Sequence, residues 1–255
     1  MAEFQFTFKR YEKKFLISEE QCKLLLERLE GKMVPDKFPH STITNIYYDT
    51  PEFQIIRRSI SKPLYKEKLR LRSYGVPGEN GKVFVEIKKK FKGVVYKRRV
   101  DMTLAQAREY LTGKSPAPKP NQITREIDYF LSYYKGIGPA MYISYERDSY
   151  ASPTDSVLRI TMDRDIIWRE YDLDLGKGIY GEEILPPNMV LMEIKVPGVF
   201  PIWLTRILND LAIKPISYSK YGTIFQVARK RHQQTNDRDG EMTETDTKGG
   251  IYCDI

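Results

Sequence analysis

The chain is poor in the residues on which many enzymes build their chemistry. Only two histidines and two cysteines occur in 255 residues. His40 follows Pro39 in a loop-like stretch and His232 borders a polar C-terminal segment. A histidine-based triad and a histidine-ligated zinc site are therefore set aside. Cys22 falls in a helical pattern and Cys253 in the polar end, which argues against a structural disulfide and predicts a cytoplasmic setting. No apolar run is long enough to cross a bilayer, and the first ten residues do not read as a secretory signal. Neither a Walker-type glycine-rich loop nor a dinucleotide fingerprint is present. Any phosphate bound here must be held by side chains.

Positive charge is what the chain has in excess. Forty-two Lys and Arg against 34 Asp and Glu give a net charge of +8. That balance points to an anionic partner: a phosphate compound, nucleic acid or an acidic surface. The clearest local expression is Lys-Glu-Lys-Leu-Arg-Leu-Arg at 66–72. In a strand, Lys66, Lys68, Arg70 and Arg72 share one face while Glu67, Leu69 and Leu71 share the other. Four cations in a row repel one another unless water screens them or a polyanion is expected there.

Weaker versions of the pattern recur. Arg10, Glu12 and Lys14 alternate with Tyr11, Lys13 and Phe15, and Glu86 and Lys88 alternate with Val85 and Ile87. Lys97 and Arg99, Tyr145 and Arg147, Arg159 to Asp163, and Glu193 and Lys195 sit in similar runs, most of them near Gly, Pro, Asn or Asp. One such strand reads equally well as an ordinary sheet with a solvated face. Seven, with cations outnumbering acids on most of them, predict an α+β fold: an antiparallel β-barrel tunnel with a charged lumen, flanked by helices. Water, counter-charges or an anionic ligand must then fill the lumen.

Helices fit between these strands. Ser18 with Gln21 three residues on predicts a capped helix that ends near Gly31. Further helices are expected over 51–60, 104–111, 123–134 and 201–211, and a last one from Ser219 carries Tyr221, Ile224, Phe225 and Ala228. One domain over 1–232 and a disordered polar tail over 233–255 are the expected organisation.

The motifs Arg-Tyr-Glu-Lys-Lys-Phe-Leu (10–16), Leu-Arg-Leu-Arg-Ser-Tyr-Gly (69–75), Val-Phe-Val-Glu-Ile-Lys-Lys (83–89), Tyr-Glu-Arg (145–147), Leu-Arg-Ile-Thr-Met-Asp (158–163), Leu-Met-Glu-Ile-Lys (191–195) and Ser-Tyr-Ser-Lys-Tyr (217–221) follow one another in that order. Together they resemble the VTC domain, the polyphosphate polymerase domain of the vacuolar transporter chaperone family, within the triphosphate tunnel metalloenzymes. The resemblance runs from about residue 4 to 230. It implies binding of ATP and Mn²⁺ or Mg²⁺, and transfer of the terminal phosphate to inorganic polyphosphate. The cations it implies for phosphate handling are Lys14, Arg70, Arg72, Lys88, Arg147, Arg159 and Lys220. Tyr145 and Ser219 would add hydroxyl contacts, Lys97 and Lys195 further substrate contacts, and Glu193 would be the metal ligand. Glu12 and Glu86 are second-choice acids.

Two departures bear on the activity. Related tunnel hydrolases begin with two alternating glutamates before the lysine, and position 10 here is Arg, which leans toward polymerisation. The eukaryotic polymerases also carry a regulatory helical domain and membrane helices that this sequence does not show. Coupling to translocation would therefore need a membrane partner protein. The alternatives are a tripolyphosphatase or nucleoside triphosphatase of the same fold, and a non-catalytic polyphosphate-binding module. Nucleic acid is the weaker partner, since no aromatic stacking platform is evident. Replacing Arg70 with Ala is expected to leave folding intact or improved, because it removes a like-charge repulsion.

Overall fold

The computed structural model describes residues 11–92, 94–155 and 157–245, with side chains described to residue 234. Arg10, Cys253 and the end of the polar tail lie outside these residues. The first half runs β1 (Tyr11–Ser18), α1 (Glu19–Leu29), β2 (Val34–Asp49), α2 (Gln54–Ile60), β3 (Tyr65–Tyr74), β4 (Lys82–Phe91), β5 (Val94–Thr103) and α3 (Leu104–Leu111). It continues with α4 (Gln122–Tyr133), β6 (Gly138–Ala151), β7 (Arg159–Arg169), β8 (Glu182–Glu183) and β9 (Met189–Val196). The last elements are α5 (Ile202–Asp210), β10 (Pro215–Ile216) and α6 (Lys220–Thr245). His40 lies within β2 rather than in a loop, with Nδ1 2.9 Å from Asp148. Helix α6 runs past residue 232, where the tail was expected to begin.

Local sequence explains where the helices start. Ser18 Oγ accepts from the Gln21 amide and Gln21 Oε1 accepts from the Ser18 amide, so two orphan donors at the start of α1 are satisfied together. Thr103 and Gln106 do the same for α3. Ser219 Oγ accepts from the Gly222 amide at the start of α6.

All pairings among the described strands are antiparallel, in the order β10-β1-β9-β7-β6-β2-β3-β4-β5 with β8 beside β7. The expected closed barrel is not formed: the end strands β10 and β5 do not pair with each other. The sheet nevertheless curls enough for an ion pair to join Lys88 of β4 to Glu12 of β1 at 3.6 Å, across most of the strand order.

Alternation sorts the side chains into two faces. On the outer face, Phe15, Ile17, Ile160, Met192 and Ile194 pack under α1 and α5. Leu69, Leu71, Val85 and Ile87 pack under α3 and α4 on the same face. The inner face is divided. At one end Tyr47, Ile143, Tyr145 and Leu191 pack against Ile56 of α2 and Tyr221, Ile224 and Phe225 of α6. Ionic side chains occupy the rest. The expectation of polar groups along the whole inner face fails at the α6 end, because an aromatic layer fills it.

A bulge in β7 fits that strand to both parts. Asp165 has φ 47° and the β6–β7 register shifts beside it. Thr161 and Asp163 therefore share the ionic face with Glu193, whereas Ile166 and Trp168 enter the aromatic layer.

Asp49 ties the layer together. Its carboxylate accepts from the amides of Thr50, Ile55 and Ile56 and from the Tyr221 hydroxyl at 2.8–3.0 Å. This one group anchors the start of α2 and clamps α6. Asp49→Ala should cost about 2 kcal/mol through orphaned buried donors. A thermal unfolding midpoint unchanged from wild type would contradict that.

Candidate phosphate-binding site

The ionic end of the inner face is organised around three carboxylates, two of them buried and the third partly buried, each shared by cations from different elements. Glu86 of β4 is 1% exposed. Arg70 reaches its Oε2 through Nε at 2.7 Å and Nη2 at 2.6 Å, and Lys97 reaches its Oε1 at 2.8 Å. Arg72, 3.7 Å away, is fixed instead by Asn45 Oδ1 at 2.9 Å and the Tyr145 hydroxyl at 3.3 Å. Burial pushes the Glu86 carboxyl up, but Arg70, Arg72 and Lys97 together outweigh it and bring it to about 2. Lys97 is brought down to about 8, chiefly by desolvation.

Asp163 of β7 forms the second centre, also 1% exposed. Arg147 holds it in bidentate fashion, Nε to Oδ1 at 2.6 Å and Nη2 to Oδ2 at 2.7 Å, and Lys220 closes on Oδ2. Both cations stand over the Tyr145 ring, at 5.1 and 4.3 Å from its centroid. Lys220 begins α6, where the helix dipole opposes a positive charge. Asp163 offsets that cost. Burial pushes the Asp163 carboxyl up, yet Lys220 and Arg147 leave it below its ordinary range.

Glu193 of β9 is the third centre, paired with Lys195 at 2.8 Å and Lys14 at 3.7 Å. Its carboxyl lies far below the ordinary range: burial opposes ionisation, but Lys195 and Lys14 overcome it. Desolvation lowers Lys14 despite Glu193, and its ammonium also donates to the Tyr218 carbonyl at 3.0 Å. The three centres adjoin one another. The Arg72–Tyr145 bond joins the first to the second, and Arg147 senses the Glu193 charge.

Most residues implied by the resemblance are thus brought together: Lys14, Arg70, Arg72, Lys88, Lys97, Tyr145, Arg147, Glu193, Lys195, Ser219 and Lys220. Arg159 lies at the edge of the group, opposite Lys195 across the sheet. It faces the same way as Thr161 and Asp163 but lies at the start of β7, 52% exposed, with Asp36 at 3.7 Å. Asp163 and Lys68 are not among the site residues that the resemblance implies, and Glu86 is only a second-choice acid there. The alternation that ends in Asp163 and the cation row containing Lys68 were the available signals. Two cavities of about 300 and 350 Å³ lie elsewhere, beside Cys22 and beside Glu170. None of the cluster's cations lines either one.

Among the described residues, no group of three or more His, Cys, Asp or Glu is placed to hold a metal ion. Glu193, already paired with Lys195 and Lys14, offers a hard divalent cation a single carboxylate, so the remaining ligands would have to come from water and phosphate oxygens. The chemistry of the cluster is otherwise that of an anion site. Nine cations (Lys14, Lys68, Arg70, Arg72, Lys88, Lys97, Arg147, Lys195 and Lys220) face four acids (Glu12, Glu86, Asp163 and Glu193).

Residues 9–228 match the VTC domain. The chain belongs to the VTC domain family. It is 22% identical over 224 residues to vacuolar transporter chaperone complex subunit 4 of Schizosaccharomyces pombe, covering 71% of this chain and 31% of that protein. The VTC chain therefore spans about a third of that relative's length. Among solved structures it is similar to a candidate adenylate cyclase from Bacillus halodurans, at 16% identity and a TM-score of 0.49 over 83% of this chain and 95% of that one. It is also similar to HpAC1 from Hippeastrum, described with a dominant triphosphatase activity, at 14% identity and a TM-score of 0.48 over 84% and 94%. No helix among the described residues is long and apolar enough to cross a membrane.

Proposed function

We propose that this VTC domain is a metal-dependent polyphosphate polymerase that transfers the terminal phosphate of ATP to a growing polyphosphate chain. The observation that carries the reading is the cation cluster itself. Guanidinium and ammonium groups from β1, β3, β4, β5, β6, β9 and α6 gather on one end of the inner face, paired with carboxylates that they exceed in charge. Phosphoryl transfer needs little covalent help from a protein. Fixed positive charge around the transferring group and in-line positioning supply most of the acceleration.

Each group's part follows from its geometry. Arg70, Arg72 and Arg147 can grip phosphate oxygens in pairs, because a planar fork matches them, while Lys14, Lys88 and Lys220 act as point charges. Glu86 and Asp163 hold the guanidinium groups in place before substrate arrives, so little reorganisation is left for the reaction. Tyr145 aligns Arg72 through its hydroxyl and carries Arg147 and Lys220 on its ring. Glu193 would hold Mn²⁺ or Mg²⁺, which when bound neutralises phosphate charge. Arg159, at the rim, is assigned an outer contact with the substrate, and Lys97, Lys195 and Ser219 inner ones. The reading places the domain at the cytoplasmic side, where ATP is supplied, beside a membrane partner protein.

Incubating the protein with ATP and Mn²⁺ should yield polymer longer than tripolyphosphate, resolved by electrophoresis. Orthophosphate release from tripolyphosphate without chain growth would assign hydrolysis instead. Binding with steep salt dependence and no turnover would leave a non-catalytic polyphosphate module.

A further inference from the structure

Lys68 differs from every other cation of the cluster. Lys14 and Lys195 have Glu193, Arg70, Arg72 and Lys97 have Glu86, Lys88 has Glu12, and Arg147 and Lys220 have Asp163. Lys68, partly buried on β3, has no carboxylate partner among the described residues. Its one hydrogen bond goes to Ser219 Oγ at 3.1 Å, and its ammonium lies 5.8 Å from the centroid of the Tyr221 ring. A lysine carries three N–H donors, so two are left without an acceptor in the described protein. Across the sheet Lys88 stands directly opposite Lys68, and Lys97 directly opposite Lys88. Like charges aligned in this way destabilise the sheet unless something anionic joins them. Arg70 lies two residues along the same strand face, about 7 Å away.

We infer that Lys68 is an additional phosphate-binding residue, supplying the cation for the phosphoryl group next to the one held by Arg70. The inference rests on the proposed function and adds to it a seat that the family resemblance did not mark. Ser219 fixes the ammonium in advance, and a linear phosphate chain brings both the missing acceptors and the missing negative charge.

The surroundings give the assignment a second, independent signature. Facing Lys68 are Tyr47 from β2, Lys66 and Arg70 on its own strand, Lys88 from β4, Lys14 from β1, and Ser219 and Tyr221 beside and within α6. Desolvation is the largest influence on its ammonium. Tyr47 opposes it, Lys66, Lys14 and Lys88 add to it, and the result is about 8. An anion seated there raises that value again, so binding at pH 8 takes up protons. Tyr47, brought to about 7, and Lys97, at about 8, also titrate in this range. The test therefore uses substitutions at Lys68 itself.

Tripolyphosphate binding to the whole chain is measured by calorimetry at pH 6.5 and pH 8. At pH 8 it is repeated in two buffers of different ionisation enthalpy. Lys68→Met should weaken binding about tenfold at pH 6.5, the scale of a lost charge-assisted hydrogen bond. Lys68→Arg should stay within about threefold of wild type while taking up fewer protons at pH 8. The ligand-free unfolding midpoint of Lys68→Met should be equal or higher, since a desolvated, uncompensated charge is removed. Three results overturn the inference: binding by Lys68→Met within twofold of wild type, an equal loss in Lys68→Arg, or unchanged proton uptake in Lys68→Arg. If wild type turns over ATP while Lys68→Met binds normally, this inference alone fails. If wild type does not bind tripolyphosphate, the proposed function fails with it.

Discussion

Replacing Glu86 with alanine is expected to destabilise the fold by about 3–5 kcal/mol, the cost of breaking a buried ion pair from one side. The carboxylate is 1% exposed and serves Arg70 and Lys97 directly, with Arg72 close by. Without it Arg72, itself 6% exposed, keeps Asn45 and Tyr145 as neutral partners only, and the positive groups repel one another at short range. For a chain of this size the loss corresponds to a drop of about 10 °C in the unfolding midpoint. The sign of the pH dependence follows from the depressed carboxyl. Its stabilisation is present above the ordinary 4.5 and is lost as pH falls through about 2. The gap between wild type and Glu86→Ala should therefore be full near neutrality and narrow steadily below about pH 4.5. Lys97→Ala is the control. Its ammonium is 41% exposed, so its pairing with Glu86 is worth no more than about 1 kcal/mol. Equal midpoints for Glu86→Ala and wild type at pH 7 would show that the cations relax into solvent.

The same geometry corrects one expectation drawn from the sequence. Alternation at 66–72 shows four like charges on one face, and from that alone the removal of Arg70 should relieve repulsion. In the fold Arg70 is half of the tightest contact to Glu86, so Arg70→Ala strands a buried carboxylate and should destabilise. The compensating acid lies on the neighbouring strand, and one-dimensional alternation does not give register between strands. What was legible is what depends on near neighbours in sequence: the Ser18 and Thr103 caps, the helix over 104–111, and the apolar faces of β3, β4 and β9. The residues that the family motifs imply are, apart from Arg159, ones that the fold gathers on one face. What was not legible depends on long-range geometry. The path β10 to β5 stays open because its end strands do not pair, and no local pattern encodes that. Ile166 and Trp168 join the aromatic layer under α6 because a single left-handed residue, Asp165, swaps the faces of β7 midway. Asp and Asn tolerate that conformation better than most residues, but nothing around Asp165 in the sequence announces a bulge.

Arg147→Ala is expected to lower the rate of ATP turnover by about 10²–10³, the scale of losing one preorganised donor to developing negative charge. Arg147 meets the conditions for that role. It is partly buried among ionic groups, its two contacts to Asp163 leave the remaining N–H donors fixed in direction, and its guanidinium lies against the Tyr145 ring. Arg147→Lys should not restore the rate, because a single ammonium cannot satisfy both Asp163 oxygens and still offer a second, rigid contact. The informative comparison is Arg159→Ala. Sequence resemblance gives both arginines the same standing, whereas the fold leaves Arg159 52% exposed beside Asp36, outside the group held by the buried acids. Its removal should change turnover by no more than about threefold, as expected of a solvent-screened charge. Both variants need their unfolding midpoints measured alongside, since Asp163 retains only Lys220 when Arg147 is gone. Equal rate losses at the two positions, in proteins of equal stability, would mean that substrate reaches across the rim and that the three carboxylate centres do not define where the chemistry happens.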